Sequence, residues 1–290
     1  MKKQSLITKS TFFGIIFLHL GSISNNKTEP STRKQSPQDL FACINAKKRW
    51  DYESKSCVAR KPWQKLPEHL KHQLDRPLDL EELKQAKEEM NLNSWQTIAK
   101  KNRPHAIILI GTAGSGKSTL VASLGKWFEG FEQNNYVQFD GDILRRNHDA
   151  YREISSQDNV AYTDAWLLAK PHFASMKSEI LDEIISENRN VIIPTGVHGP
   201  RYHKILREND YQITLVGVFV DFETAYYRGM NRAEWTGRTY TGSYGHWQTG
   251  LKHMEALSQE SDDASVLFIN NCDFDSPKEM SYEELSSMIE

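Results

Sequence analysis

Neither charge is in excess in this chain: 36 Lys and Arg stand against 38 Asp and Glu, a formal charge of −2. The electrostatic footprint of an extended nucleic-acid surface is therefore missing. Long apolar runs are scarce as well. The one near the start, Phe12 to Leu20, is too short to span a bilayer comfortably, and no other segment approaches that length, so no transmembrane helix is expected in the mature chain. Cysteine is rare, at three residues. Two of them are placed to suggest a pair, because Cys43 and Cys57 bracket a stretch centred on Trp50 and Asp51 that suits a small hairpin closed by a disulfide. Such a closure would stabilise by about 3 kcal/mol and needs an oxidising compartment; two unpaired thiols are the alternative. Cys272 would be left over, buried and inert.

What is present divides the chain into segments. Residues 1–24 look like an export signal, with Lys2, Lys3 and Lys9 ahead of the apolar run and Ser22 to Ser24 offering small residues for cleavage. A buried or amphipathic N-terminal segment is the other reading. Residues 25–39 are polar, carry Pro30 and Pro37, and read as a linker. Residues 40–102 form an N-terminal extension: the Cys hairpin, then helices. In the second helix Leu80, Leu83, Ala86 and Met90 fall near one face, and Ser94 is placed to cap a third. The core domain is expected at 103–275 and an acidic tail at 276–290, whose Ser/Glu-rich end, residues 280–290, reads as a solvated terminal helix or else as a secretion signal.

Within the core, apolar strands alternate with helices: strands near 106–110, 136–139, 190–193, 212–220 and 266–269, with helices near 118–128 and 160–188 and two more between 220 and 266. This order predicts an α/β fold, a parallel sheet with helices on both faces, preceded by a small helical extension. Ligands in such sheets sit beyond the carboxyl ends of the strands.

The first of those ends carries the strongest motif. Gly111, Thr112, Ala113, Gly114, Ser115, Gly116, Lys117 and Ser118 match the phosphate-loop pattern G-x-x-x-x-G-K-[ST] at every fixed site, with Thr119 next in line. Glycines let successive backbone N–H groups point at phosphate oxygens, and the following helix adds its positive end. Lys117 is expected on the β- and γ-phosphates of ATP and Ser118 on Mg²⁺. After the second strand come Asp140, Asp142 and Arg145. One carboxylate is placed to take the acceptor's proton, the other to orient water or metal, and Arg145 to turn toward a substrate phosphate or pin the aspartate. Arg228 and Arg232 share a helix face, and Arg238 follows in a Gly/Thr/Tyr-rich loop; forked guanidiniums suit phosphates. Thr195, His198 and Arg201, after the third strand, are expected on the acceptor side.

In this order the motifs resemble the zeta-toxin group of small-molecule kinases, over roughly residues 107–269. The resemblance implies Lys117 and Ser118 on ATP and Mg²⁺, Asp142 as general base, Arg228, Arg232 and the catalytic Arg238 near the phosphates, and a nucleotide-sugar acceptor. If the activity is toxic, a neutralising protein partner is implied too. One departure stands out: Ile193-Pro194-Thr195-Gly196 lacks the acid that zeta toxins carry there. The stretch FDGDILR, residues 139–145, is also similar to adenylylsulfate kinases, which act on an adenosine ribose hydroxyl. The acceptor thus stays open between a UDP-sugar and an adenine nucleotide such as NAD. Two other functions remain: a P-loop ATPase acting as a nucleotide switch, and a kinase of nucleic-acid ends. Since ATP is scarce outside cells, the signal-like start points to secretion or delivery into another cell; without cleavage the protein is cytoplasmic.

Overall fold

The computed structural model describes residues 42, 49–51, 56–58, 63–64, 66–92, 103–128, 131–156, 161–162, 165–196, 198–236, 244–259, 264–273 and 276–289. In chain order the N-terminal elements are β1 (Arg49–Asp51), β2 (Ser56–Val58), β3 (Trp63–Gln64), α1 (Glu68–Leu74) and α2 (Leu80–Glu89). The core follows with β4 (His105–Ile110), α3 (Lys117–Val121), β5 (Val137–Gln138), α4 (Gly141–Asn147), α5 (Asp149–Ser156), β6 (Ala161–Tyr162), α6 (Ala165–Ser186), β7 (Val191–Thr195) and α7 (Gly199–Glu208). Then come β8 (Gln212–Phe219), α8 (Phe222–Thr236), α9 (Tyr244–Gln259), β9 (Ala264–Asn270), β10 (Lys278–Met280) and α10 (Tyr282–Ile289).

Six strands make the main sheet in the order β10-β9-β8-β4-β7-β5, parallel except for β10. The central strand β4 shows why the sheet is double-faced. Ala106, Ile108 and Ile110 enter one apolar core, while Ile107 and Leu109 enter the other, as the two-residue period of a strand requires. The faces are unequally covered. The first core gathers Ile143 and Leu144 of α4, Phe173 and Ile184 of α6, Leu206 of α7 and Met254 of α9. The second is closed chiefly by Leu120 and Val121 of α3 with Leu124.

The extension is built into this core. Asp79 caps α2 through a capping box with Glu82, and Ala86, Met90 and Leu92 are buried in the larger core. Met90 O also accepts the Gln138 N–H at 2.8 Å, which satisfies a donor on the edge strand β5.

Several expectations need correction. The helix after the phosphate loop is short, Lys117–Val121, and continues as a 3₁₀ turn at Leu124–Lys126. Pro194 and Thr195 belong to β7 and not to a loop: they pair in register with Leu109 and Ile110, because Pro194 needs no donor where the strand ends. The acidic tail ends in the expected helix, α10, but it is not wholly solvated: β10 joins the sheet ahead of it, and Met280 and Leu285 are buried, since burying them outweighs leaving the segment in water. The expected small hairpin, by contrast, is present: β1 pairs antiparallel with β2, with Trp50 opposite Cys57. The export signal, the linker, Cys43 and its disulfide, the helix capped by Ser94, and Arg238 lie outside the described residues.

Candidate active site

The phosphate loop leaves β4 at Gly111, and its shape rests on two left-handed glycines, Gly114 at φ 85° and Gly116 at φ 81°. Side chains adopt that region only with strain. Gly114 is constrained twice, because a Cβ there would lie 2.2 Å from the Ala225 carbonyl oxygen of α8. From the other side the loop is tied by Asn271, whose Nδ2 donates to the Ser115 carbonyl at 2.7 Å. Thr112 and Ser115 are buried, whereas Ala113, Ser118 and Thr119 face outward. Lys117 folds over the loop, its Nζ donating to the carbonyls of Gly111 at 2.9 Å and Thr112 at 2.7 Å. This cradle fits a polyphosphate: fixed backbone donors at a strand end, with an ammonium above them.

β5 delivers the second motif to the same edge of the sheet. Asp140 is the N-cap of α4; its Oδ1 accepts the Asp142 N–H at 2.9 Å. That turns Oδ2 back toward the phosphate loop, where it accepts the Ser118 hydroxyl at 3.1 Å. The sequence leaves Asp140 open between the acceptor and the orienting of water or metal; this cap geometry turns it to the loop and away from the acceptor. A hydroxyl beside a carboxylate is a hard-oxygen donor set of the kind that takes Mg²⁺ together with substrate phosphates. Asp142, one turn into α4, stays half-buried and ion-paired with Arg145, which is itself buried.

β7 brings the third part. Thr195 is buried, and its carbonyl accepts the Gly111 N–H at 3.3 Å, so it braces the phosphate loop. His198 and Arg201 are exposed around the start of α7. Although the residue as a whole is exposed, partial desolvation of its ring, then the nearby charges of Lys177, Arg201, Lys170 and His253, hold the His198 imidazole below its ordinary range. Three of those groups, Lys170, Lys177 and His253, do not stand out in the sequence. Lys177 lies over the rings of Phe139 at 5.5 Å and Tyr202 at 5.7 Å, and packs against Gly141 at the start of α4. Its signal in the sequence was slight: Lys170 and Lys177, seven apart, share a face of α6.

Among the arginines, Arg228 turns away from the expected role. Its guanidinium donates to the carbonyls of Asn271 at 2.7 Å and Cys272 at 3.1 Å, satisfying orphan acceptors where β9 ends. It thereby fixes the segment whose Asn271 holds Ser115. Arg232 lies in α8. Burial pushes the Cys272 thiol up to about 12, so it is inert at neutral pH.

Among the described residues no helix is long and apolar enough to cross a membrane. A family model described as Zeta toxin matches residues 91–268. No curated protein matches the sequence. A solved structure from the PezAT chromosomal toxin–antitoxin system of the human pathogen Streptococcus pneumoniae is 19% identical, with a TM-score of 0.50, covering 74% of this chain and 88% of that one. A complex of AvrRxo1-ORF1 and AvrRxo1-ORF2 with sulphate ions is 10% identical, covering 89% and 78%, with a TM-score of 0.49. An unliganded sugar kinase from Janibacter is 18% identical, covering 64% and 91%, with a TM-score of 0.33.

Proposed function

We propose that this chain, which belongs to the zeta toxin family and is a P-loop phosphotransferase with a hydroxyl acceptor, moves the γ-phosphoryl group of ATP onto a sugar hydroxyl of a nucleotide-type acceptor. The observation that carries the reading is the meeting of two motifs at one sheet edge. Ser118 and Asp140 share a hydrogen bond, and Asp142 stands two residues further on, at the start of α4. A switch needs the first motif; only transfer to an acceptor needs a base beside it.

In this mechanism the backbone of residues 111–118 and Lys117 hold the β- and γ-phosphates. Lys117 must leave the Gly111 and Thr112 carbonyls to do so. Ser118 and Asp140 would hold Mg²⁺, which supplies charge neutralisation for the transferring group. Asp142 takes the acceptor's hydroxyl proton, and Arg145 keeps its carboxylate oriented. Arg232 and Arg238 act on the phosphoryl charge. On the acceptor side His198 and Arg201, with Lys170, Lys177 and His253 around them, favour an anionic acceptor. A UDP-sugar and NAD both meet that demand.

The PezAT structure comes from a toxin–antitoxin system, which supports a neutralising protein partner here as well. Delivery into another cell follows from the signal-like first 24 residues; N-terminal sequencing of the mature protein tests it.

The function is tested by incubating the protein with ATP, Mg²⁺ and a metabolite extract, and following masses raised by one phosphate. Wild type is expected to form such a product and Asp142→Asn to form about 10²–10⁴-fold less. Equal product from both would overturn the role of Asp142. ATP hydrolysis indifferent to every acceptor would favour the switch.

A further inference from the structure

The helix that carries Asp142 and Arg145 has only seven residues, so it cannot hold its own orientation and depends on what grips its ends. Its N-terminal end is gripped by the phosphate loop through Asp140 and Ser118. Its C-terminal end is gripped by the extension. Glu89, at the end of α2, pairs one carboxylate oxygen with Arg146 and accepts Asn147 Nδ2 on the other at 2.7 Å. The same Asn147 amide donates to the Ile143 carbonyl at 2.9 Å, one turn back along α4. Just beyond, Glu82 accepts the Asp149 N–H at 2.8 Å at the start of α5 and is locked by Arg76 at 2.6 and 2.7 Å. Three consecutive residues thus have divided tasks: Arg145 pairs with Asp142, while Arg146 and Asn147 pair with Glu89.

We propose that Glu89 is a positioning residue for the Asp142–Arg145 pair, so that α2, which precedes the family-matched residues, is part of the catalytic unit. The proposal rests on the kinase reading for its rate effect, but its structural half stands alone. If Glu89 sets the angle of α4, removing it leaves the ATP cradle intact and misplaces the base, and a misplacement of about 1 Å costs up to about a hundredfold in rate.

The test uses the full chain with Glu89→Ala, Glu89→Gln, Arg146→Ala and, as control, Lys87→Ala. Lys87 pairs with Glu183 of α6 at 2.6 Å and so ties the same extension to the core away from α4. With ATP and a UDP-sugar or NAD as acceptor, Glu89→Ala and Arg146→Ala are expected to lower kcat by about tenfold with KM for ATP unchanged. Glu89→Gln, which keeps an acceptor for Asn147, should recover most of the rate, and Lys87→Ala should match wild type. In parallel, hydrogen exchange of the amides of residues 141–147 should quicken in Glu89→Ala while those of β4 stay protected. Unchanged kcat in both Glu89→Ala and Arg146→Ala overturns the proposal, as does an equal fall in Lys87→Ala. Should Glu89→Ala not fold, the exposed Arg146 still decides it from the other side. Should wild type phosphorylate neither acceptor, the nucleotide-type acceptor reading fails, and exchange alone judges Glu89: unaltered exchange at residues 141–147 overturns it.

Discussion

Ser118 and Asp140, 22 residues apart in the chain, meet across 3.1 Å, and through that one hydrogen bond the phosphate loop and the base-bearing helix become a single site. Both oxygens are hard donors, and in the proposed mechanism their joint task is the divalent cation. Ser118→Ala and Asp140→Asn should each raise the Mg²⁺ concentration needed for half-maximal turnover and leave the melting temperature nearly unchanged. EDTA should abolish transfer and added Mg²⁺ restore it. Magnesium titrations of initial rate check this, and an unshifted midpoint in both variants would assign the cation elsewhere.

Gly114 is fixed by a positive φ and by the Ala225 carbonyl. Gly114→Ala should destabilise by about 1–3 kcal/mol, from backbone strain alone, and the loop must shift to relieve the contact. The expected reading is a lower melting temperature together with loss of the further upward shift that ATP gives wild type. Retention of that shift would show that the loop tolerates the Cβ.

Acid should unfold the protein in two stages, both seated between the extension and α5. His148 is buried against Phe173, and burial, then the charge of Arg76, depresses its pKa below 6.5. A depressed histidine contributes stability that is complete above the unfolded value of 6.5 and declines as pH falls below it. Burial pushes Glu82 up, but the bonds from Arg76, Asp149 and Asp79 prevail and hold it at about 2. Its contribution is complete above the unfolded 4.5 and disappears as pH falls toward about 2. Denaturant midpoints measured from pH 8 to pH 3 should fall in both windows, and Glu82→Gln should flatten only the lower one.

Lys177 lies among Phe139, Tyr202 and Gly141, which the proposed mechanism puts on the acceptor side. Lys177→Ala should raise KM for an anionic acceptor by about tenfold, the loss of one charge-assisted contact, with KM for ATP unchanged. Lys177→Arg should recover part of it. A rise confined to KM for ATP would move Lys177 to the nucleotide.

The phosphate loop and the order of strands were legible because both are local: fixed spacing in one, apolar runs in the other. The Asp-x-x-Arg stretch of α4 was legible for the same reason. Three features were not. Asp140 and Asp142 read as interchangeable acids until the cap turns Asp140 to Ser118. Arg228 reads as a phosphate ligand until the chain brings carbonyls 271 and 272 beside it. The terminal helix reads as solvated because its charges are visible in the sequence and the neighbours that bury Met280 and Leu285 are not.

From the sequence alone come the nucleotide cradle, the parallel sheet and the candidate base, since each depends on neighbours along the chain or on a periodicity of two or 3.6 residues. Only the tertiary structure decides which carboxylate faces the loop, which arginine is consumed in bracing it, and that an N-terminal helix grips the catalytic one. Those outcomes turn on which side chain finds an unsatisfied donor or acceptor from a distant element, and a chain reveals its distant elements only when folded.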